Sequence, residues 1–420
     1  AVAVIFYLRH MFPDLNNWRM AVLVQCVLAP AMGILAAYWY GGLGWLSPIV
    51  NLIAVPILGI WLAPLSLTAA LLPPLEELCW SLASLPVHGF LWLDKHIAPS
   101  LSPWMPYRPS LPVAISALLG LLWFANHRAI GHRLLAVPLL AIALMPASLP
   151  LPVGRTEITL LDVGQGLSLI LRRRNFTLVY DTGDGDPQGF NMASAVIQPY
   201  LERQGVEHID LLVISHGDRD HASGVSVLRE RFSLGEVWIG EPYLASAPEA
   251  KRCRAGQRHR YGDLTIDTLA PWTPDVSGNN SSCVLLLSVD GYRVLLPGDI
   301  ESEIEYGLIR RHRNQLDVDL LLAPHHGSGS STSSALLNAT TPDLVLLSRG
   351  YRNRFGHPDP AVMRRLRAFG AVICDTAEQG AVMIRLENGK ISQLDRWRDA
   401  TPRYWQALAS PACDPAYNAR

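Results

Sequence analysis

Four side chains of the types that bind metal ions lie within six residues of this chain: His216, Asp218, Asp220 and His221. Carboxylates and imidazoles packed this closely repel one another and resist leaving water unless a cation lies among them. They follow the apolar run 209–214, which predicts a buried strand. We therefore favour a metal site, with a solvated charged loop as the alternative.

Three further loops that could do chemistry also follow predicted strands. In chain order they contain Asp181 with its glycines, Gly298-Asp299, and Pro324-His325-His326-Gly327. A single Gly-Asp or His-His pair is ordinary at a turn or a surface. Because the ends of neighbouring strands meet at one edge of a sheet, these loops are expected to form one site with the first.

The elements that must position these loops lie in residues 151–396. Short apolar runs bounded by turn residues predict strands, and they lie at residues 157–162, 167–171, 176–180, 209–214, 235–240, 264–269, 283–289, 292–296, 318–323, 343–347, 371–374 and 381–386. Helices are predicted at 192–204 and 225–232. This mixture predicts a layered α/β sandwich. Residues 397–420 are expected to form a tail that either packs on the domain or is loose.

The first 150 residues have a different composition. They carry ten charged side chains, whereas the whole 420-residue chain has 35 Lys and Arg and 36 Asp and Glu. Such an apolar segment is typical of a membrane domain. About five transmembrane helices are expected in it, at residues 20–40, 46–72, 78–93, 111–125 and 134–149, although 78–93 could instead lie in the membrane interface.

Basic residues set the expected orientation of these helices. Arg9 and Arg19 precede the first one, and Arg128 and Arg133 lie between the last two. If both groups are cytoplasmic, residues 151–420 lie on the outer, periplasmic or extracellular side. Since the chain begins without Met inside an apolar run, we expect it to be part of a longer membrane protein rather than to start with a signal peptide.

The six cysteines narrow the choice of metal site. None forms a Cys-x-x-Cys pair, which argues against a thiolate zinc site. Two lie in the apolar part, and the other four could pair in an oxidising compartment. Their spacing alone does not show which cysteines would pair.

The order of the four loops resembles the metallo-β-lactamase superfamily. Asp181-Thr182-Gly183, His216-x-Asp218-x-Asp220-His221, Gly298-Asp299 and Pro324-His325-His326-Gly327 stand in that superfamily's order. The resemblance implies an αββα sandwich that holds two metal ions. Asp218 stands where the second His of the commoner HxHxDH motif lies, so the site is richer in oxygen and suits manganese as well as zinc.

Other segments resemble the ComEC family of DNA-uptake channels. They are Leu161-Asp162-Val163-Gly164-Gln165-Gly166, Asn279-Asn280-Ser281-Ser282, His325-His326-Gly327-Ser328 and Asn353-Arg354-Phe355-Gly356-His357-Pro358, and the block 51–65 is similar to the end of that family's competence region. The resemblance implies an N-terminal α-helical transmembrane bundle (1–150) followed by a metallo-β-lactamase-like sandwich (151–396). The family's N-terminal part is expected to lie outside this sequence.

The superfamily pattern implies a ligand set for two divalent metal ions, zinc or manganese. His216 and Asp218 would bind one ion and Asp220 and His221 the other, with Asp299 bridging and His326 completing the second site. His325 would be a general acid or phosphate contact, although its role and that of His326 could be reversed. The pattern's third motif usually supplies a His near Asn279-Asn280; none is present here, so Asn280 could contribute instead.

Several other residues keep two interpretations. Asp162, Gln165 and Asp181 are expected to support ligands rather than to be ligands. His357 either protonates the leaving oxygen or holds a phosphate, or it only caps a helix near Pro360. Solvated surface is the alternative to a DNA contact for the basic residues Arg219, Arg349, Arg352, Arg354 and the cluster 251–260.

The resemblance implies an inner-membrane channel that takes up single-stranded DNA in natural transformation. Its outer domain would be a nuclease that degrades the other strand by di-metal phosphodiester hydrolysis, with Asp220, His325 and His357 as catalytic residues. Its partners would be DNA, bound without sequence preference as single strand and incoming duplex, membrane lipid and other proteins of the competence machinery. Two alternatives remain: a domain that guides DNA without cutting it, and a hydrolase of small phosphodiesters.

Overall fold

The computed structural model describes residues 2–40, 42–97, 101, 104–107, 109–125, 137, 141, 151–186, 189–241, 247–273, 275–400 and 413. The chain divides into two compact units, residues 1–149 and 150–420. Each unit is considered by itself below.

The first unit is helical in the residues described. Its helices are α1 (Val2–Met11), α2 (Asn17–Tyr40), α3 (Ser47–Leu71, with a π-helical stretch at Ile57–Leu62), α4 (Glu76–His96) and α5 (Leu111–Ala125). The short strands β1 (Gly42–Gly44) and β2 (Trp104–Pro106) pair antiparallel. The many prolines of α3 are accommodated at its helical turns rather than breaking the helix.

Two of these helices are long and apolar enough to cross a membrane, within the residues described: 17–39 in α2 and 47–71 in α3. Helix α5 is apolar but has only 15 residues, which is short for a ~30 Å hydrocarbon layer. Helix α4 covers the predicted segment 78–93 and has acidic residues in its first turn. The fifth predicted helix, 134–149, lies outside the described residues except for positions 137 and 141, so the number of transmembrane helices stays a prediction.

The second unit contains an eight-stranded sheet in the order β17-β16-β3-β4-β5-β6-β7-β8. Its strands are β3 (Arg155–Leu160), β4 (Leu169–Arg173), β5 (Phe176–Tyr180), β6 (His208–Ile214), β7 (Ser233–Ile239), β8 (Lys251–Arg252), β16 (Val382–Glu387) and β17 (Lys390–Arg396). Strands β5 to β8 run parallel, and the others pair antiparallel.

A seven-stranded sheet in the order β15-β14-β13-β12-β11-β10-β9 lies in the same unit. Its strands are β9 (Arg258–Tyr261), β10 (Leu264–Ala270), β11 (Val284–Val289), β12 (Tyr292–Leu296), β13 (Leu320–Leu322), β14 (Leu344–Leu347) and β15 (Val372–Asp375). Here β12 to β15 run parallel. Each sheet therefore has a parallel half, whose strand ends can carry a site.

Helices cover these sheets. They are α6 (Gln198–Arg203, after a π-helical turn at Ala193–Ile197), α7 (Arg219–Ala222), α8 (Val225–Arg231), α9 (Ser302–His312), α10 (Ser334–Thr340), α11 (Pro360–Phe369), α12 (Thr376–Gln379) and α13 (Trp397–Ala400). A 3₁₀ turn, Pro324–Gly327, follows β13, and another, Gly278–Ser281, precedes β11.

Three apolar clusters give this unit four layers. Alternate residues of both sheets, such as Leu169 and Leu285, share the central cluster. The opposite faces of the two sheets each pack on helices, the first on α6 and α8 and the second on α9, α10 and α11. Because successive side chains of a strand point to opposite faces, both faces of each sheet are buried. The layers are in the order helix, sheet, sheet, helix, which is the predicted αββα sandwich.

All four cysteines of the second unit form disulfides. Cys253 pairs with Cys283, and Cys374 pairs with Cys413. Cys413 is fully buried, so the second bridge ties this point of the predicted tail to β15. Helix α13 is also held on the domain, because Arg398 forms an ion pair with Asp162, just beyond β3, at 2.7 Å. The tail thus packs on the domain at the positions that the structure describes.

Removing the Cys253–Cys283 bridge is expected to lower the free energy of unfolding of the second unit by about 2–4 kcal/mol, since the bridge restricts the unfolded chain. We would compare Cys253→Ala/Cys283→Ala with the parent chain by chemical denaturation. Cys26→Ala is the control, because Cys26 is an unpaired, exposed residue of the first unit. Equal stability of the double variant and the parent chain would contradict the expectation.

Candidate metal centre

The predicted site residues lie at the carboxyl ends of four strands of the second unit, and Ser348, which was not predicted, lies at the end of a fifth. Asp181 follows β5, and Ser215-His216 follows β6. Asp299 follows β12, His326 follows β13, and Ser348 follows β14. Parallel strands end at a common edge, which is where α/β proteins build their sites. The two sheets thus bring together residues that are far apart in sequence.

Donor atoms of four residues meet at the centre of this edge. Nε2 of His221 lies 3.2 Å from Oδ2 of Asp299 and 3.3 Å from Nε2 of His326. The same His326 nitrogen lies 3.4 Å from Oδ2 of Asp220 and 3.5 Å from Oδ2 of Asp299. Atoms bound at ~2.1 Å to one ion lie roughly 3–3.5 Å apart by simple geometry. The spacing therefore suits ligands of a shared ion.

His216 lies on the other side of His221. The two rings are 4.2 Å apart between centroids, and His216, His221 and Asp299 form a second close group of possible ligands. Oδ2 of Asp218 lies 3.4 Å from Nε2 of His216, while most of the Asp218 side chain is exposed. Asp218 therefore lies at the rim of the site, beside His216.

The short helix α7 orients Asp220 and His221. The backbone carbonyl of Asp218 accepts the N–H groups of His221 and Ala222, which begins the helical turn. The Asp220 carbonyl accepts the Leu167 N–H at 3.1 Å. A Cβ at Gly166 would lie 2.6 Å from that carbonyl, and Gly166 has a φ of 130°. Only glycine allows this approach, so the loop 164–166 fixes the helix that carries two ligands.

Asp181 supports the imidazoles rather than joining the donor cluster. Its carboxylate accepts the Ser215 N–H at 2.6 Å, the Ser215 hydroxyl at 2.7 Å and Nδ1–H of His221 at 2.8 Å. The Ser215 hydroxyl in turn lies 3.1 Å from Nδ1 of His216. Nδ1 of His326 lies 3.0 Å from the Ser348 carbonyl. All three imidazoles therefore engage Nδ1 behind the site and present Nε2 to it, which is how metal-binding histidines are oriented.

The turn that carries His325 and His326 is strained. Both residues have positive φ, 51° and 52°, a conformation uncommon for residues other than glycine and concentrated at functional sites. His326 points into the cluster, whereas Nε2 of the half-buried His325 lies 3.9 Å from Oδ2 of Asp299, at the rim. The structure thus places His326 among the clustered ligand atoms and His325 at the rim.

The Asp299 loop is held by Ser282 and Gly298. The Ser282 hydroxyl accepts the Asp299 N–H at 3.0 Å and donates to the Asn279 carbonyl. A Cβ at Gly298 would lie 2.8 Å from the Ser282 Cβ and 2.9 Å from the Ser215 Cβ, and Gly298 has a φ of 61°. This close approach fixes the Asp299 carboxylate beside the His221 and His326 rings.

Two buried polar atoms at the site have no hydrogen-bond partner within the described part of the chain: Nε2 of His216 and Oδ1 of Asp299. Buried polar groups are nearly always paired, because an unpaired one costs about 1–3 kcal/mol. Both atoms are good ligands for a divalent cation. The residues present therefore fit one or two metal ions of this class.

Opposite charges in the cluster shift one another's pKa values. Burial acts to raise the pKa of Asp220, but His326 and His221 outweigh it and hold that pKa at about 2. In the same way, despite burial, His221 and His326 keep the pKa of Asp299 well below its ordinary value. Burial also opposes protonation of His221, yet Asp299 and Asp181 raise its pKa well above normal. The carboxylates and imidazoles of the cluster thus favour one another's charged forms, and a cation would favour the ionised carboxylates in the same way.

Asn280, which stands near the place of the superfamily's third motif, makes a hydrogen bond to the backbone. Its side-chain oxygen accepts the Glu301 N–H at 3.0 Å, so it secures the loop after Asp299. The neighbouring Asn279 amide lies 3.5 Å from Nε2 of His325. The segment Gly278–Ser281 contains no imidazole, and the His216 side of the site therefore has fewer nitrogen ligands than the His221 side.

His357 lies beside the site rather than at a helix end. Its ring is 5.8 Å from the His325 ring, and burial, together with His325 and His326, lowers its pKa. The alternative that His357 caps the helix near Pro360 is wrong, because Asp359 is the cap and accepts the Ala361 N–H at 2.6 Å.

Some of the basic residues that were predicted to contact DNA form ion pairs within the domain, and others are exposed. Arg349 forms an ion pair with Asp375 at 2.6 Å, so its guanidinium is engaged within the domain. In the cluster 251–260, Lys251 pairs with Glu236 and Arg258 with Asp267. Arg219 is mostly exposed and donates to the Gly185 carbonyl at 3.1 Å. Arg352 and Arg354 are exposed.

Sequence reasoning missed several supporting residues, among them Glu241. Its carboxylate accepts the N–H groups of Gly217 at 3.4 Å and Gly278 at 3.0 Å, which joins the His216 loop to the Asn279 loop. No motif surrounds it; its position two residues beyond β7, a strand next to β6, is the signal that could have pointed to it.

Each of the two units contains a region that matches a known protein family. Residues 1–131 match the family described as Competence protein. Residues 161–350 match the Metallo-beta-lactamase superfamily. Both the fold of the second unit and the order of its metal-type loops are thus similar to this superfamily.

Individual proteins resemble the chain over much of its length. Competence protein ComA of Neisseria gonorrhoeae is 32% identical over 376 residues, 89% of this chain and 52% of that protein. Recombination protein 2 of Haemophilus influenzae is 32% identical over 255 residues, 60% of this chain and 32% of that protein. The metallo-beta-lactamase fold protein YhfI of Bacillus subtilis aligns with 56% of this chain and all of its own, at 12% identity and a TM-score of 0.39. The chain therefore spans between about a third and about half of these two curated relatives.

Proposed function

We propose that this chain, whose residues 1–131 match the Competence protein family and whose residues 161–350 match the Metallo-beta-lactamase superfamily, takes up single-stranded DNA through the inner membrane in natural transformation. In this proposal the second unit is a metal-dependent nuclease that degrades the strand that is not taken up. The observation that carries the proposal is the His and Asp cluster, in which Nε2 of His216 and Oδ1 of Asp299 are buried without a hydrogen bond in the described residues, on the same chain as the competence match.

The ligand set follows from the donor positions. Asp220, His221, Asp299 and His326 would hold one ion, while His216 and Asp218 would hold the other with Asp299 between them. Divalent cations bound there supply a Lewis acid and an activated water, the chemistry of phosphodiester hydrolysis. The particular metal, zinc or manganese, belongs to the proposal.

The protein residues contribute position and hydrogen bonding. His325 and His357 lie at the rim of the site, where Nε2 of His325 is 3.9 Å from Oδ2 of Asp299. From there an imidazole N–H can donate to a phosphate oxygen or give a proton to the leaving oxygen. Asp181, Ser215 and Ser348 keep the ligating rings in place, so that little reorganisation is needed when substrate binds.

The disulfides support the proposed compartment. Cys253–Cys283 and Cys374–Cys413 join all four cysteines of the second unit, and such bonds persist in oxidising compartments. This supports a second unit on the outer side of a multi-pass membrane domain, where incoming duplex would reach the nuclease. Membrane lipid and other competence proteins are the remaining partners in the proposal.

A second candidate function is binding or guiding of DNA without cutting. The His216 side of the site has fewer nitrogen ligands than the His221 side, which favours this second role. Asn280 is hydrogen-bonded to the Glu301 backbone, and the segment Gly278–Ser281 contributes no imidazole. Metal analysis separates the two candidates. DNA binding with substoichiometric metal and no turnover would support the guiding role.

The proposed coupling of nuclease and uptake is tested in a transformable host that makes this protein. Asp220→Ala is expected to reduce release of nucleotides from incoming DNA and to reduce transformation, since Asp220 contacts His326 in the cluster. Asp263→Ala, at an exposed site away from the cluster, is the control. Unchanged nucleotide release and transformation in Asp220→Ala would overturn the proposal.

A further inference from the structure

A short loop next to the site presents two aromatic rings to solvent. In the segment Gly350–His357, which we name the platform loop, Tyr351 is 64% exposed and Phe355 is 52% exposed. The Arg352 guanidinium lies 5.3 Å from the Tyr351 ring centre, and that of Arg354 lies 4.8 Å from the Phe355 ring centre. Neither guanidinium has a carboxylate partner in the portion of the chain that is described.

The platform loop is held in one conformation by its own hydrogen bonds. The Asn353 side chain donates to the Gly350 carbonyl at 3.1 Å and to the His357 carbonyl at 2.6 Å, and it accepts the His357 N–H at 3.0 Å. The Asp359 N–H, just beyond the loop, donates to the Gly327 carbonyl at 2.9 Å. The exposed rings are therefore carried on a built structure that is tied to the turn containing His326.

The loop also leads directly to the metal-type cluster. The Phe355 ring lies 5.8 Å from the His357 ring and is nearly parallel to it, at 14°. His357 is 5.8 Å from His325, which contacts Asp299. A strand lying on the exposed rings could thus continue to the site without leaving the surface of this loop.

We propose that Tyr351 and Phe355, with Arg352 and Arg354, form a platform on which bases of single-stranded DNA stack as the strand enters the site. Aromatic faces bind any base, and arginines bind the phosphates between them. Duplex DNA gains less, because its bases are already stacked on each other. The identity of the ligand as DNA rests on the proposed function.

The test measures binding without cleavage. The full chain in detergent micelles, treated with chelator, is titrated with a fluorescent 12-residue oligothymidine and with an abasic strand of the same length. Tyr351→Ala/Phe355→Ala is expected to raise the Kd for oligothymidine at least ~25-fold, at about fivefold or more for each lost stack. The abasic Kd is expected to change less than twofold. Tyr306→Ala, an aromatic residue 56% exposed on α9, is the matched control, and Phe355→Trp is expected to retain binding.

Three outcomes would overturn the platform. The first is an unchanged oligothymidine Kd in the double variant, and the second is an equal loss of binding to the abasic strand. The third concerns membranes, because aromatic and arginine side chains also suit a lipid interface. If hydrogen exchange in residues 350–357 were slowed by phosphatidylglycerol nanodiscs and not by oligothymidine, the loop would be a lipid contact.

The platform and the nuclease can fail separately. Platform-dependent binding with no hydrolysis after metal is added would overturn the nuclease alone. Hydrolysis of oligothymidine with the same KM in the double variant and the parent chain would overturn the platform alone.

Discussion

Asp299→Asn is expected to abolish metal-dependent hydrolysis of DNA, with a fall in turnover of more than about 100-fold. The carboxylate lies between His221 and His326, and its second oxygen is buried without a partner in the described residues. Replacing a supporting residue of a metal site typically costs 10- to 100-fold in affinity or activity, and loss of the central charge must cost more. Asparagine keeps the shape, so the fold is expected to survive.

The effect of Asp299→Asn is measured as metal content and as nucleotide release from DNA. The matched control is Asp375→Asn, because Asp375 is equally buried but caps α12 and pairs with Arg349. An amide oxygen can still cap a helix, so this variant is expected to keep both metal and turnover. Full metal content and turnover in Asp299→Asn would show that the ions, if any, bind elsewhere.

Asp181→Asn is expected to weaken metal binding about 10- to 100-fold while leaving the ligands themselves in place. Asp181 accepts hydrogen bonds from Ser215 and His221, and an amide group cannot accept all of them. Nδ1 of His221 would then lose its acceptor, and Nε2 would no longer be held toward the cluster. The measurement is a titration of the metal-free full chain with manganese, followed by calorimetry.

The control for Asp181→Asn is Asp210→Asn. Asp210 also accepts a backbone N–H, from Thr177 at 2.8 Å, but near the start of β6, away from the site. It is expected to bind manganese as the parent chain does. If Asp181→Asn kept its affinity within twofold of that control, the proposed support of His221 would be wrong.

The sequence predicted most of the strands that carry the site, for a physical reason. Strands buried on both faces, such as β13, are continuous apolar runs that end at turn residues. The metal-type residues stand directly after them, so strand ends and site could be predicted together. The choice of His326 over His325 came from the superfamily pattern, and the structure places His326 at the centre and His325 at the rim.

Other features could not be obtained from local pattern. Strands β9 and β17 are polar edge strands without apolar alternation, so nothing in their composition marks them. Cysteine pairing and the ion pair of Arg349 with Asp375 depend on which strands become neighbours. The partly exposed loop 350–357 is fixed by Asn353 and by a turn 30 residues earlier, which no short window of sequence contains.

The most direct measurement is cleavage of end-labelled single-stranded DNA by the full chain, first stripped of metal and then reloaded with manganese or zinc. The account predicts no cleavage without metal, cleavage after reloading, and none in Asp299→Asn under either condition. Intact DNA after incubation with a parent chain that has bound both metal and DNA would contradict it.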